Sequence, residues 1–221
     1  LAASREQLFG KTAAGTALTE ADLEPLLAAM ACRMPDTAVR GARVLAQLGD
    51  GRALGALLQL SREDDAAIRR ETATALQALQ DPRARERLVW MLDDADGDVR
   101  AAALAAVVAL DSGAPLSAAE AALRSGHEDV RVRGLDRLVK LGAKAEGAEG
   151  LLGDALEDES AKVRGEAFRT LWAWNDQEPV KALDRALAGR FPDLGTRAVD
   201  VLAREPSGER PPPGAMMCRW G

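Results

Sequence analysis

The chain of 221 residues has no Tyr, three Phe and four Trp, and aromatic residues make up only 3% of it. An all-β sandwich fills its pleated faces with aromatic and β-branched side chains, so this shortage argues against one. There is one His, His127. A Ser-His-Asp triad, a Cys-His dyad or a His-rich metal site would each depend on it. Two cysteines, Cys32 and Cys218, cannot build a disulfide framework and point to a reducing, cytoplasmic setting. No apolar run approaches the ~20 residues that a membrane span needs. No charged and then apolar leader opens the chain, so no signal peptide is expected. The formal net charge of -6 excludes a generic polyanion binder and leaves room for local basic faces.

What is present is helical in character. There are 45 Ala, and most of the other apolar residues are Leu and Val. Ala and Leu are strong helix formers, which predicts an all-α protein. With 47% hydrophobic and 29% charged residues the chain is too apolar for disorder. It is long enough for a sizeable core in one domain or two.

A short phrase recurs: a capping residue, two variable residues, a β-branched residue, then Arg. It reads Asp36-Thr37-Ala38-Val39-Arg40, Asp65-Ala66-Ala67-Ile68-Arg69, Asp96-Gly97-Asp98-Val99-Arg100, His127-Glu128-Asp129-Val130-Arg131, Ser160-Ala161-Lys162-Val163-Arg164 and Asp193-Leu194-Gly195-Thr196-Arg197. The arginines are spaced by 29, 31, 31, 33 and 33 residues. Asp or Ser at an N-cap accepts hydrogen bonds from the first free N–H groups of a helix. Apolar residues follow four, seven and ten positions after the Arg, as in Ala73, Leu76 and Leu79 or in Phe168, Leu171 and Trp174. That spacing is one helical stripe. The first copy is about two residues out of phase.

Turn signals such as Leu48-Gly49-Asp50 and Gln80-Asp81-Pro82 close each stripe. A second apolar stretch follows: 53–60, 84–92, 116–123, 151–156 and 180–187. The unit is therefore helix, turn, helix, and such pairs bury their apolar faces by stacking. We expect three segments. Residues 1–18 form an N-terminal cap or extension, with a capping box at Ser4 to Gln7 and a loop from Gly10 to Thr16. Residues 19–204 form the repeat domain, opened by a helix over 19–30. Residues 205–221 form a Pro-rich tail.

The repeated phrase, the spaced Ala and Leu and the Leu-Gly-Asp turn resemble HEAT-like repeats, most of all the short bacterial type also found in phycobilisome lyases. The resemblance covers roughly residues 19–203. It implies an all-α, right-handed α–α solenoid of about six HEAT-like helix pairs, with first helices on the convex side and second helices lining the concave side. TPR repeats need a Tyr-containing pattern and ankyrin repeats a Thr-Pro-Leu-His phrase. Both are missing.

The Arg column at 40, 69, 100, 131, 164 and 197 admits two readings. It is a ladder for phosphates or acidic peptides, or it pairs with acidic residues of neighbouring repeats and sets their register. The cost of burying lone charge and the resemblance both favour the second. Arg83, Arg87 and Trp90 stand at i, i+4 and i+7 of a second helix and share a face. Arg with Trp suits cation–π contact and protein hot spots. The competing reading packs Trp90 into the inter-repeat core beside solvated arginines. Lys181 and Arg185 form a weaker pair of the same kind. His127-Glu128 is similar to one half of the His-Glu pairs of HEAT-like deoxyhypusine hydroxylases, but a di-iron site needs several pairs. Gly10-Lys11-Thr12 echoes a P-loop, yet Arg5 stands where the motif needs its first Gly.

These features predict a non-catalytic scaffold without metal or cofactor, binding a protein or peptide on its second-helix surface. The alternatives are a nucleic-acid-binding protein, by analogy with DNA glycosylases built from HEAT-like helices, and a chromophore lyase or chaperone-like factor. The acidic Glu146, Glu149 and Asp154 of the fourth repeat interrupt any continuous basic groove. No membrane partner is expected, and the chain is read as a monomer or as part of a larger one.

Overall fold

The structure, a computed structural model, describes residues 11, 18–111, 113–174, 184–185 and 187–204. Among them there is no strand. Eleven α-helices are bounded among the described residues: α1 (Glu20–Met30), α2 (Pro35–Gln47), α3 (Ala53–Leu60), α4 (Ala66–Leu79), α5 (Arg85–Trp90), α6 (Gly97–Leu110), α7 (Pro115–Leu123), α8 (Glu128–Leu141), α9 (Ala148–Ala155), α10 (Ala161–Trp174) and α11 (Pro192–Arg204). The chain divides into two compact units, Leu1–Ala118 and Ala119–Gly221. In the first, α2 packs on α4 and α4 on α6, with α3 and α5 as the second helices. In the second, α8 packs on α10 and α10 on α11, with α9 beside α10. First helix on first helix is the stacking of a helix-pair repeat.

The repeat phrase starts helices as its chemistry dictates. The Asp65 carboxylate accepts the Ala67 N–H at 2.7 Å, and that of Asp96 accepts the N–H groups of Asp98 and Val99. Ser160 caps more loosely, at 3.2 Å and 3.4 Å from the N–H groups of Lys162 and Val163. His127 holds the cap position without a side-chain bond. The first and last copies differ. Pro35 and Pro192 each open their helix, so Met34 precedes α2 and Asp36 and Asp193 fall inside the first turn rather than at the cap. Proline at the first helical position costs no hydrogen bond and presets φ, which moves the start upstream. Thr19 and Asp22 form a reciprocal capping box at α1. Within the expected loop from Gly10 to Thr16, the one described residue, Lys11, is helical. The expected capping box at Ser4 to Gln7 and the tail lie outside the described residues.

The predicted stripes form the core. Ala73, Leu76, Leu135, Leu138, Phe168 and Leu171 are buried, while Leu110, Leu141 and Trp174 at the stripe ends are half-buried. Small residues set the helix spacing. A Cβ on Gly41 of α2 would stand 2.8 Å from the Leu26 carbonyl oxygen and the Met30 nitrogen of α1. One on Gly134 of α8 would meet α7 at 3.1–3.3 Å. The second stretch over 84–92 is not one helix: α5 is flanked by 3-10 turns at Pro82–Ala84 and Met91–Asp93. Among the described residues, no helix is long and apolar enough to cross a membrane.

Candidate binding groove and the arginine column

The arginine column is engaged in the four interior copies. Each Arg stands fourth in its helix and turns its Nη1 back to the loop before it. Arg69 donates to the carbonyls of Glu63 (2.8 Å) and Asp64 (2.7 Å), Arg100 to those of Asp94 (2.8 Å) and Ala95 (3.0 Å). Arg131 donates to Ser125 O (3.0 Å), and Arg164 to Asp158 O (2.7 Å) and Glu159 O (3.0 Å). Arg69, Arg131 and Arg164 also reach forward. Arg69 makes a bidentate pair with Asp94 (2.7 and 2.8 Å), and Arg131 one with Asp158 (2.8 and 3.1 Å). Arg164 pairs with Asp193 (2.9 Å) and lies 3.9 Å over the Phe191 ring.

Asp94 and Asp158 were not singled out by the sequence reading. Each stands six residues before the Arg of the next copy and also accepts the N–H two residues on, from Asp96 (2.9 Å) and Ser160 (2.7 Å). The signal was an acid two residues ahead of the cap, present as Glu63, Asp94 and Asp158 and replaced by Met34, Ser125 and Phe191 in the other copies. Burial opposes the charge of Asp94, but the hydrogen bonds from Arg69 and the Asp96 N–H prevail and hold it below the usual carboxylate range. The Asp94 hydrogen bonds raise the Arg69 guanidinium correspondingly.

The two end copies of the column are different. Arg40 and Arg197 are exposed and make no ion pair with a described residue. With Pro at the helix start they stand sixth rather than fourth. The carbonyl that Arg40 would need, Met34 O, already accepts the N–H groups of Thr37 and Ala38.

The second feature lies on α3, α5 and the turns beside them, within the first unit. Leu58, Arg62, Arg83, Glu86, Arg87 and Trp90 line a surface groove of about 440 Å³. The apolar stripe of this helix runs through Ala84, Leu88, Met91 and Leu92, all buried. Arg83, Arg87 and Trp90 fall one residue behind that stripe, about 100° around the helix. Trp90 is 69% exposed, so it is not a packing residue of the inter-repeat core. The arginines are held rather than free in solvent. Arg83 is clamped by Asp81 (2.6 Å), which lowers the Asp81 carboxyl and raises the guanidinium. Arg87 donates from Nε to Ser61 Oγ and from Nη2 to Ser61 O, both at 2.7 Å. Burial, with the nearby Arg62 charge, lowers the Arg87 guanidinium. Arg62 was missed by the sequence reading because it sits in the turn after α3 and outside any stripe. On the other side of α5, Arg85 pairs with Asp111 (2.8 Å) and bonds Ser117, tying the helix to the start of α7.

Arg185 belongs to the second unit, where it is exposed and its Nη1 lies 3.6 Å from a Cβ placed on Gly153. Lys181 lies outside the described residues. Trp172 is buried and Trp174 half-buried. Among the described residues no group of three or more His, Cys, Asp or Glu side chains is placed to hold a metal ion.

Residues 23–108 match the family model described as HEAT repeats. That stretch is similar to HEAT repeats and spans less than half of the chain. It contains the groove and the first half of the arginine column. Among curated proteins, none matches the chain. Solved structures similar to it include the complex of CpcE and CpcF of phycocyanin lyase from Nostoc sp. PCC7120, at 19% identity over 86% of this chain and 78% of that one, with a TM-score of 0.42. An archaeal HEAT-like repeats protein from Thermococcus onnurineus NA1 is similar at 20% identity over 88% and 84%, with a TM-score of 0.41. A designed armadillo repeat protein in complex with the peptide (KR)4 is similar at 17% identity over 84% and 99%, with a TM-score of 0.41.

Proposed function

We propose that this HEAT-repeat chain is a non-catalytic scaffold that binds a protein or peptide through the second-helix groove of Arg83, Arg87 and Trp90. The observation that carries the reading is Trp90, 69% exposed in a groove with three arginines. Trp and Arg are the residues most often found at the energetic centre of protein interfaces. The Asp81 and Ser61 clamps hold Arg83 and Arg87 in place before a partner arrives, so less ordering cost remains for binding. The interior arginine column has the complementary role of setting repeat register, since its members are used up on carboxylates and loop carbonyls. Arg185 is a separate candidate contact in the second unit.

Affinity capture from the native host by the chain and by its Arg83→Ala, Arg87→Ala and Trp90→Ala variants tests the reading. A partner held by the parent chain and lost with the groove variants supports it; capture unchanged in all three overturns it. Nucleic-acid binding is disfavoured by Glu86 within the groove and by Asp81 at its edge. It predicts binding at low salt that falls steeply as salt rises.

A further inference from the structure

Within this groove the arginines outnumber the acids. Three guanidiniums face one carboxylate, Glu86. Asp81 neutralises Arg83. Arg62 and Arg87 form no ion pair with any described residue, and Arg87 spends two of its donors on Ser61 alone. Two inward arginines of the column each meet an Asp, Arg69 with Asp94 and Arg131 with Asp158. Here two neighbouring cations are left without one, and each raises the cost of the other's charge. Beside them the Trp90 indole and Leu58 offer an apolar platform.

We propose that the groove receives an acidic peptide, with a Glu or Asp carboxylate of the peptide held by Arg62 and Arg87 and an apolar side chain laid on Trp90. This rests on the scaffold reading above and names the ligand class for its site. A guanidinium binds a carboxylate through paired, charge-assisted N–H donors. The indole face adds contact area at low ordering cost. A polynucleotide fits less well, because it needs a row of cations along a strand and would meet Glu86. A peptide carries backbone N–H groups that Glu86 accepts.

A randomised peptide library displayed on phage, selected in parallel on the full chain and on its Trp90→Ala variant, tests this. The expected result is a Trp90-dependent set enriched in Asp or Glu within a few residues of an apolar or aromatic residue. A synthetic peptide from that set loses affinity by about tenfold or more when its acids are changed to amides, and similarly on Arg62→Gln, an exposed change that leaves the fold intact. A Trp90-dependent set that is neutral or basic overturns the acidic-peptide assignment and leaves the scaffold reading standing. Absence of any Trp90-dependent set overturns the groove as the scaffold's surface, and this assignment with it. Displacement of the selected peptide by an oligo-dT strand at matched charge overturns it in favour of nucleic acid.

Discussion

Arg131 and Arg83 are the same residue type on successive kinds of helix, and they have opposite fates. The Arg131 side chain is 7% exposed and is paired with Asp158 from the next repeat. The Arg83 side chain is 73% exposed, and its partner Asp81 is two residues away in the same turn. The difference follows from where stacking puts each side chain. Arg131 stands at the start of a first helix, and the stack brings Asp158 of the next copy against it. The groove arginines meet no such carboxylate. Arg83, like Arg52 with Asp50, is closed on the Asp two residues before it. Arg62 stands three residues before the cap, a position held by Arg33, Arg124 and Arg190 in other copies. The arginines paired across repeats hold the stack together, and those of the groove are left to face solvent or a partner.

The strongest way to break this contrast is Arg131→Ala. It strands the largely buried Asp158 and removes the donor to Ser125 O. Losing one member of a buried pair costs about 3–5 kcal/mol, and urea denaturation monitored by circular dichroism reads it. Changing both members, as Arg131→Met with Asp158→Leu, recovers most of the loss, because two apolar groups leave no charge unpaired. Arg40→Ala, outside the engaged part of the column, shifts the midpoint little. Equal losses at Arg40 and Arg131 would remove the distinction between engaged and terminal copies.

Charge is one way of setting register, and backbone proximity is the other. Gly41→Ala places a methyl group 2.8 Å from two backbone atoms of α1, where no side chain can swing aside. Overpacking of this kind costs about 1–3 kcal/mol. Gly134→Ala, with contacts of 3.1–3.3 Å that include movable side chains, costs less. Thermal melts of the two variants side by side rank them.

Much of this was legible in the sequence, for a physical reason. Helix-pair stacking is written in local signals: caps at Asp65 and Asp96, the stripe through Leu76 and Leu135, and the second helix over 53–60. The start of α2 was misread because Pro35 competes with Asp36 for the helix start and wins. The exposure of Trp90 was legible in principle, since Leu88, Met91 and Leu92 already occupy the inward stripe and leave the indole outside. Asp94 and Asp158 were harder to see. Their partners stand 25 and 27 residues away, and only stacking brings them together. Arg62 had a weak signal, an Arg three residues before the cap that recurs as Arg33, Arg124 and Arg190, but a turn residue gains its meaning from the helix that packs beside it.

Acid separates the two kinds of arginine more gently. The Asp94 carboxyl lies below its ordinary value in the folded chain, so its pairing with Arg69 stabilises the fold above the unfolded value of about 3.9 and is lost as pH falls through the folded value. Stability measured between pH 6 and about pH 3 falls for the parent chain, and Asp94→Asn flattens part of that decline. The groove arginines Arg62 and Arg87 have no such carboxylate, so Arg62→Gln leaves the decline unchanged.

The smallest effect on stability belongs to Trp90, and there the comparison is most exposed to failure. A Trp buried in a repeat core costs about 3–5 kcal/mol on truncation to Ala. Trp90 is 69% exposed and lies outside the inward stripe, so Trp90→Ala changes the unfolding free energy by no more than about 0.5 kcal/mol. Trp172, 3% exposed against Phe168, is the internal standard, and Trp172→Ala shows the full cost. Fluorescence gives the second reading: deleting Trp90 removes a red-shifted, quencher-accessible component, while deleting Trp172 removes a blue-shifted, protected one. A Trp90→Ala loss as large as that of Trp172→Ala would make the indole a structural wedge, and the groove would then be a by-product of packing with no surplus of exposed apolar surface to offer a partner.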